Sequence, residues 1–278
     1  MAPPVARPDG YTRSVTEMAR RASRVLIGTS GWSYPHWRGR FYPRNLRHVS
    51  QLEYYAEHFD SVEINSTFYR LPERKMLRAW HDAVPGDFIF AVKASRFITH
   101  MKKLNVPARA LGSFFRRIEA LRDKLGTVLF QLPPRWHCNG ERLASFLSCL
   151  SGDFRYAFEF RDTSWLTQEI YDLLARRGAA LCFYELAGYR SPIVVTSKLI
   201  YIRLHGPDGP YQGRYDRRAL TLWAKRIQIW SAEGRSVCCY FDNDQLGYAA
   251  LNARELAHLI QRRKDEGRRG SESAMSDK

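Results

Sequence analysis

A chain of 278 residues, 45% of them hydrophobic, can close one fully buried core and is too short for two ordinary α/β domains of barrel size. No apolar run approaches the ~20 residues of a membrane helix, and five cysteines without C-x-x-C or zinc-type spacing argue against a disulfide framework and for a reducing, cytoplasmic interior. The formal charge of +16 is not confined to the ends: setting aside residues 1–24 and 262–278 leaves +11 on the body. Such a field favours encounter with polyanions, unless 35 arginines against 9 lysines only reflect base composition.

Residues 1–24 are rich in Pro and Arg, lack a secretory apolar stretch and read as a disordered basic leader. The domain follows over 25–262. Eight short apolar runs recur in it, at 25–28, 61–65, 88–93, 127–131, 156–161, 180–184, 199–205 and 236–242. Between them lie stretches of helical period. Ser50-Gln51-Leu52-Glu53 spells a capping box ahead of Leu52, Tyr55, Ala56 and Phe59. Pro72 stands at a first-turn position before Met76, Leu77 and Trp80. Leu111, Phe114, Phe115 and Ile118 mark a third helix, Leu143, Phe146 and Leu147 a fourth, and Ile170, Leu173 and Leu174 a fifth. The sixth is short or missing, because 186–198 contains Gly188, Pro192 and a β-branched run. Asp216 caps a seventh carrying Leu220, Trp223 and Ile227; Ala250, Ala253 and Leu256 mark the last. Residues 263–278 read as a disordered tail. Strands alternating with helices imply parallel pairing, so the predicted fold is α/β, a single (β/α)8 TIM-type barrel.

Parity at the strand ends locates a site. Side chains alternate faces along a strand, so Glu63 and Asn65 share one face while Val62 and Ile64 share the other. The split recurs with Glu159 and Arg161, with Arg203 and His205, and with Tyr240, Asp242 and Asp244; Lys93 and Gln131 end their runs in corresponding positions. Barrel closure aims the polar set into the carboxyl mouth. Each buried ion costs several kcal/mol unless paired, so the set forms either a pocket floor or a layer of mutually satisfied ion pairs that plugs the barrel.

The first rim loop, 30–49, sets Trp32, Tyr34, Trp37, Phe41 and Tyr42 among Arg38, Arg40, Arg44 and Arg47, a composition suited to stacked bases with phosphates, to sugars, or to an ordinary buried cluster. The seventh, 206–215, has three glycines and the composition of a mobile lid.

Taken in order, Ile27-Gly28-Thr29-Ser30-Gly31-Trp32, Val62-Glu63-Ile64-Asn65-Ser66-Thr67-Phe68-Tyr69, Phe130-Gln131-Leu132-Pro133-Pro134, Glu159-Phe160-Arg161, Tyr201-Ile202-Arg203-Leu204-His205-Gly206 and Tyr240-Phe241-Asp242-Asn243-Asp244 resemble the YecE-like family, domain of unknown function 72. The resemblance implies a TIM-type barrel, similar in architecture to apurinic endonuclease and xylose-isomerase barrels, and supplies no catalytic residue. That architectural likeness is an analogy.

Three functions stay open. The first is an enzyme, a hydrolase of a phosphodiester or other anionic nucleic-acid-derived substrate, with Glu63, Glu159, Asp242 and Lys93 catalytic. In it Arg161, Arg203, His205, Asn65, Gln131, Asp244, Trp32 and Tyr34 bind substrate. The second is a non-catalytic DNA- or RNA-binding protein, and the third a carbohydrate-active enzyme. No cofactor is predicted. The cations beside the carboxylates argue against a trinuclear zinc site, one divalent ion stays open, and a Schiff base at Lys93 is a minor alternative.

Overall fold

The computed structural model describes residues 24–276, with side chains to Arg262, so the expected leader lies outside the described residues but for Arg24. Nine strands form in chain order: β1 (Val25–Thr29), β2 (Ser61–Ile64), β3 (Ile89–Lys93), β4 (Leu125–Gln131), β5 (Arg155–Glu159), β6 (Ala180–Leu186), β7 (Tyr189–Arg190), β8 (Leu199–Leu204) and β9 (Ser236–Phe241). All but β7 pair in parallel, in the order β1-β9-β8-β6-β5-β4-β3-β2. β7 is a short antiparallel return on β6.

The ring closes between β1 and β2 by an unusual seam. Gly31 N donates to Glu63 O at 2.8 Å, and below that bond a side chain replaces the ladder. The buried Tyr55 hydroxyl accepts from Thr29 N at 2.9 Å and donates to Ser61 O at 3.1 Å. Gly28 makes this approach feasible, since a Cβ there would stand 2.1 Å from Ser61 O.

Strand alternation sorts the core into two parts. Leu26, Ala91, Leu129, Ala157, Ala180, Tyr201, Cys238 and Tyr240 fill the barrel, while residues of opposite parity such as Val62, Phe90, Phe158 and Ile202 pack under the helices. The alanines leave room for the rings of Tyr201 and Tyr240, whose centroids lie 5.4 Å apart.

The helices are α1 (Gln51–Ala56), α2 (Ser66–Tyr69), α3 (Arg74–Asp82), α4 (Ala108–Ile118), α5 (Gly140–Ser148), α6 (Gln168–Arg177), α7 (Arg217–Ala232) and α8 (Tyr248–Ser276). The expected gap is present: residues 187–198 hold only β7, and Thr196 ties the strap down by accepting from Leu181 N and donating to Ala179 O. Asp216 caps α7 through Ala219 N at 2.7 Å.

Two helix starts differ from expectation. Ser50 ends a 3-10 turn with φ −93° and ψ 3°, so its hydroxyl is not aimed at the α1 amides and no capping box forms. Pro72 precedes α3, whose N-cap is the extended Glu73. The backbone of α8 runs on to Ser276, across most of the segment expected as a disordered tail, which no proline interrupts. All five cysteines are free, Cys138 and Cys149 exposed and Cys182, Cys238 and Cys239 buried.

Candidate active site

Barrel closure brings the carboxyl ends of β2, β3, β5, β8 and β9 together, and one side chain organises what meets there. Arg203, fully buried at the end of β8, donates through Nη2 and Nε to Glu63 Oε1 at 2.7 and 3.1 Å. Its Nη1 reaches Glu159 Oε2 at 2.8 Å, and Nη2 also reaches Ser30 Oγ at 3.0 Å and Asp242 Oδ2 at 3.3 Å. Burial lowers its pKa, but Glu63, Glu159 and Asp242 together outweigh that and hold the guanidinium firmly charged.

The carboxylates are correspondingly occupied. Glu63 accepts further hydrogen bonds from Ser30 Oγ and, at 2.7 Å, from the Tyr201 hydroxyl. Glu159 also pairs with Arg161 Nε. Burial would raise the Glu159 carboxyl, yet Arg161 and Arg203 outweigh it and hold it well below the usual carboxylate range. Asp242 accepts from His205 Nδ1 at 3.0 Å. Two guanidinium groups, Arg161 Nη2 at 2.8 Å and Arg203 Nη1 at 3.3 Å, converge on His205 Nε2, which must accept because guanidinium only donates. The ring proton therefore sits on Nδ1, toward Asp242.

Lys93 stands apart. It is 8% exposed at the end of β3, and among the described residues its ammonium has no hydrogen bond or ion pair. Its Nζ lies 4.5 Å over the Phe68 ring. Burial and then the Arg203 charge pull its pKa down to about 8.

The sequence-predicted residues thus divide. Glu63, Lys93, Glu159, Arg161, Arg203, His205 and Asp242 share one floor, with Gln131 alongside in register with Glu159. Asn65 and Asp244 lie beyond the ends of β2 and β9, where strand parity no longer applies. Asn65 is the N-cap of α2, in helical conformation, with a buried Oδ1 that lacks a partner. Asp244 instead ties two loops together, accepting from Trp37 Nε1 at 2.5 Å and facing His36 Nε2 at 2.9 Å. Burial pushes its pKa up to about 6 despite both contacts. Trp32 packs edge-to-face on Trp80 at 4.9 Å rather than lying open as a platform. Tyr34 donates its hydroxyl to Ser30 O at 2.5 Å. Trp37, Phe41 and Tyr42 form the ordinary buried cluster.

The seventh loop is pinned rather than lid-like. Asn252 accepts from Tyr215 N and donates to Tyr215 O, and Asn243 Nδ2 holds Gly213 O at 2.9 Å. Gly206, at φ +115°, lets Gln212 approach where a Cβ would stand 2.1 Å from its carbonyl oxygen. Ser30, Tyr201 and Phe68 were missed as site residues. Tyr201 shares the parity of Arg203 and His205, and that signal sufficed to find it.

Among the described residues no three His, Cys, Asp or Glu side chains gather as a ligand set, and Arg203 occupies the point between Glu63, Glu159 and Asp242 where a cation would have to sit. The donor set as arranged fits a guanidinium, not a metal ion.

Fold and floor together define a TIM-type barrel with a charged network at its carboxyl mouth. The chain belongs to the family described as protein of unknown function DUF72, whose model matches residues 26–275. It is 27% identical over 269 residues to UPF0759 protein YunF of Bacillus subtilis (strain 168), covering 85% of this chain and 94% of that one. Against UPF0759 protein YecE of Escherichia coli (strain K12) it is 30% identical over 164 residues, 55% of this chain and 54% of YecE. A DUF72 family protein from Thermotoga maritima MSB8 superposes with a TM-score of 0.77 at 27% identity, covering 86% of this chain and 99% of that one. Another, from Enterococcus faecalis V583, gives 0.71 at 21% identity over 86% and 98% of the two chains, a likeness of fold. No helix among the described residues is long and apolar enough to cross a membrane.

Proposed function

We propose that the carboxyl mouth takes an anionic, phosphate-bearing substrate and that the protein is an enzyme acting on it, with a nucleic-acid-derived ligand the best chemical match. The observation that carries this reading is Lys93, a cation at the mouth with no counter-ion while every carboxylate beneath it is engaged. Arg161 lies beside the floor with its side chain 8% exposed and Asp242 with 10%, against 0–1% for Glu63, Glu159 and Arg203, so the accessible groups there are two cations, Lys93 and Arg161, and one carboxylate. The rim agrees in sign: segments 30–50 and 94–107 carry four and three Lys or Arg and no Asp or Glu.

In this reading Glu63 holds Arg203 in place, and Glu159 holds Arg203 and Arg161 rather than transferring protons, since a carboxylate held ionised by two guanidinium groups is a poor general acid and a weak base. Lys93 and Arg161 bind the anion, and Asp242 with His205 is the pair left to move a proton. Arg203 fills the electrostatic place of a metal ion.

Fluorescence anisotropy with single-stranded and duplex DNA and RNA, at several salt concentrations, tests the ligand class; a phosphodiester, phosphomonoester and glycoside panel tests turnover. Saturable binding that weakens steeply with salt is expected. Absence of binding at low salt together with activity on neutral glycosides would replace this reading with the carbohydrate one, and tight binding without any turnover would leave a non-catalytic binder.

A further inference from the structure

Outside ion pairing, the mouth holds one group whose chemistry the network does not use. Lysine at a barrel strand end normally earns its burial by pairing with a carboxylate. Lys93 does not, although Glu63, Glu159 and Asp242 are all near enough to act on its charge. Arg203 has taken those carboxylates, and it repels the ammonium as well. The amine stands 4.5 Å over the face of Phe68, and the backbone at Lys93 is fixed by Thr67 Oγ1 donating to its carbonyl at 2.6 Å. One residue past the paired Ile64 and Val92, Asn65 follows on β2 where Lys93 follows on β3, and its buried Oδ1 has no partner among the described residues. A held but unpaired amine at the mouth, within the field of Arg203, is arranged for reaction with an electrophile that also carries negative charge.

We infer that Lys93 is a nucleophilic amine that forms a Schiff base with an anionic carbonyl compound, a phosphorylated aldehyde or ketone such as an open-chain sugar phosphate. This rests on the reading of the mouth as an anion site and narrows its substrate class. In the step, the neutral Nζ attacks the carbonyl carbon, forming the N–C bond while the C=O π pair moves to oxygen, which takes a proton from water. The nitrogen then loses its extra proton to water; the carbinolamine hydroxyl takes up a proton from solvent and leaves as water while the nitrogen lone pair forms the C=N bond, and the resulting iminium returns its N–H proton to solvent to leave the imine. Amine plus carbonyl gives imine plus one water, with no oxidant or reductant consumed.

The supply of neutral amine is consistent with this. At pH 7 a group titrating at about 8 is unprotonated some ~10²-fold more often than an ordinary lysine.

The test treats the full chain with glycolaldehyde phosphate, or with neutral glycolaldehyde, at pH 7, followed by borohydride to convert any imine to a stable secondary amine and by peptide mapping. Shifts in melting temperature with inorganic phosphate are measured alongside, for the wild type, Lys93→Met and Lys93→Arg. The expected result is an adduct at Lys93 formed at least ~10-fold faster than at the exposed Lys102 and Lys103, faster with the phosphorylated probe, and suppressed by inorganic phosphate. Lys93→Arg should keep the phosphate shift and lose the adduct. If phosphate stabilises the wild type but not Lys93→Met, and no adduct forms at Lys93, the Schiff-base inference is overturned while the anion site stands. If neutral glycolaldehyde labels Lys93 as fast as its phosphate and phosphate shifts nothing, the amine chemistry stands and the anion reading falls. Labelling spread evenly over exposed lysines, with no phosphate effect, overturns both.

Discussion

Arg203 and Glu63 meet across the barrel interior at 2.7 Å, both sealed from solvent, and the contact is the keystone of a network of three carboxylates around one guanidinium. Glu63→Gln keeps the shape of the side chain and removes its charge. Breaking a buried pair typically costs about 3–5 kcal/mol, because the remaining ion is underpaired. Thermal unfolding should therefore show a large drop in melting temperature for Glu63→Gln, and a comparable one for Glu159→Gln, which takes from Arg161 its carboxylate and from Arg203 one of three. A Glu159→Gln protein that melts like the wild type yet loses turnover would restore Glu159 as an acid or base.

Lys93→Met should stabilise the protein at neutral pH. The folded pKa of about 8 lies below the ordinary 10.5, so between those values the folded state binds fewer protons than the unfolded one and wild-type stability rises with pH. Below pH 8 the buried charge costs up to about 3 kcal/mol. Methionine keeps the stem over Phe68 without that cost. The stability gap between variant and wild type, from urea unfolding, should be widest near pH 7 and close by about pH 10.5. A gap independent of pH contradicts the unpaired-amine description.

The seam between β1 and β2 depends on a single hydroxyl. Tyr55→Phe leaves Thr29 N and Ser61 O buried without that partner, at about 1–3 kcal/mol for the unsatisfied groups. Hydrogen exchange should localise the effect: Thr29 should lose protection more than amides of the β4–β5 pair on the far side of the ring. Gly28→Ala should be far more damaging, since its methyl would meet backbone rather than a movable side chain.

The basic rim makes a separate, sequence-independent contribution. Replacing Arg47, Arg96 and Lys102 by serine removes three exposed cations outside the floor. Each that touches a phosphate should lower the magnitude of the log affinity against log salt slope by about 0.9 on duplex DNA and about 0.7 on single strands. An unchanged slope would place the polyanion contacts elsewhere.

The strands, the missing sixth helix and the inward set of Glu63, Lys93, Glu159, Arg203 and Asp242 were legible in the residue pattern, because alternation along a strand is a local property that barrel closure converts into a direction. The pattern lost accuracy where that locality ended. Asn65 and Asp244 lie beyond their strands, where alternation no longer sets a direction, and Ser50 formed no cap because a preceding turn had already set its backbone. Glycine content alone marked 206–215 as mobile, whereas hydrogen bonds from Asn243 and Asn252, remote in sequence, pin it. Whether the polar floor plugs the barrel or serves it was likewise not a local question. Charges on five different strands had to be placed in one volume before it emerged that Arg203 engages all three carboxylates and leaves Lys93 without a counter-ion. Pairing among buried ions is decided by distances of a few ångströms between residues remote in sequence, such as Glu63 and Arg203, 140 positions apart, and these distances exist only once the chain has folded.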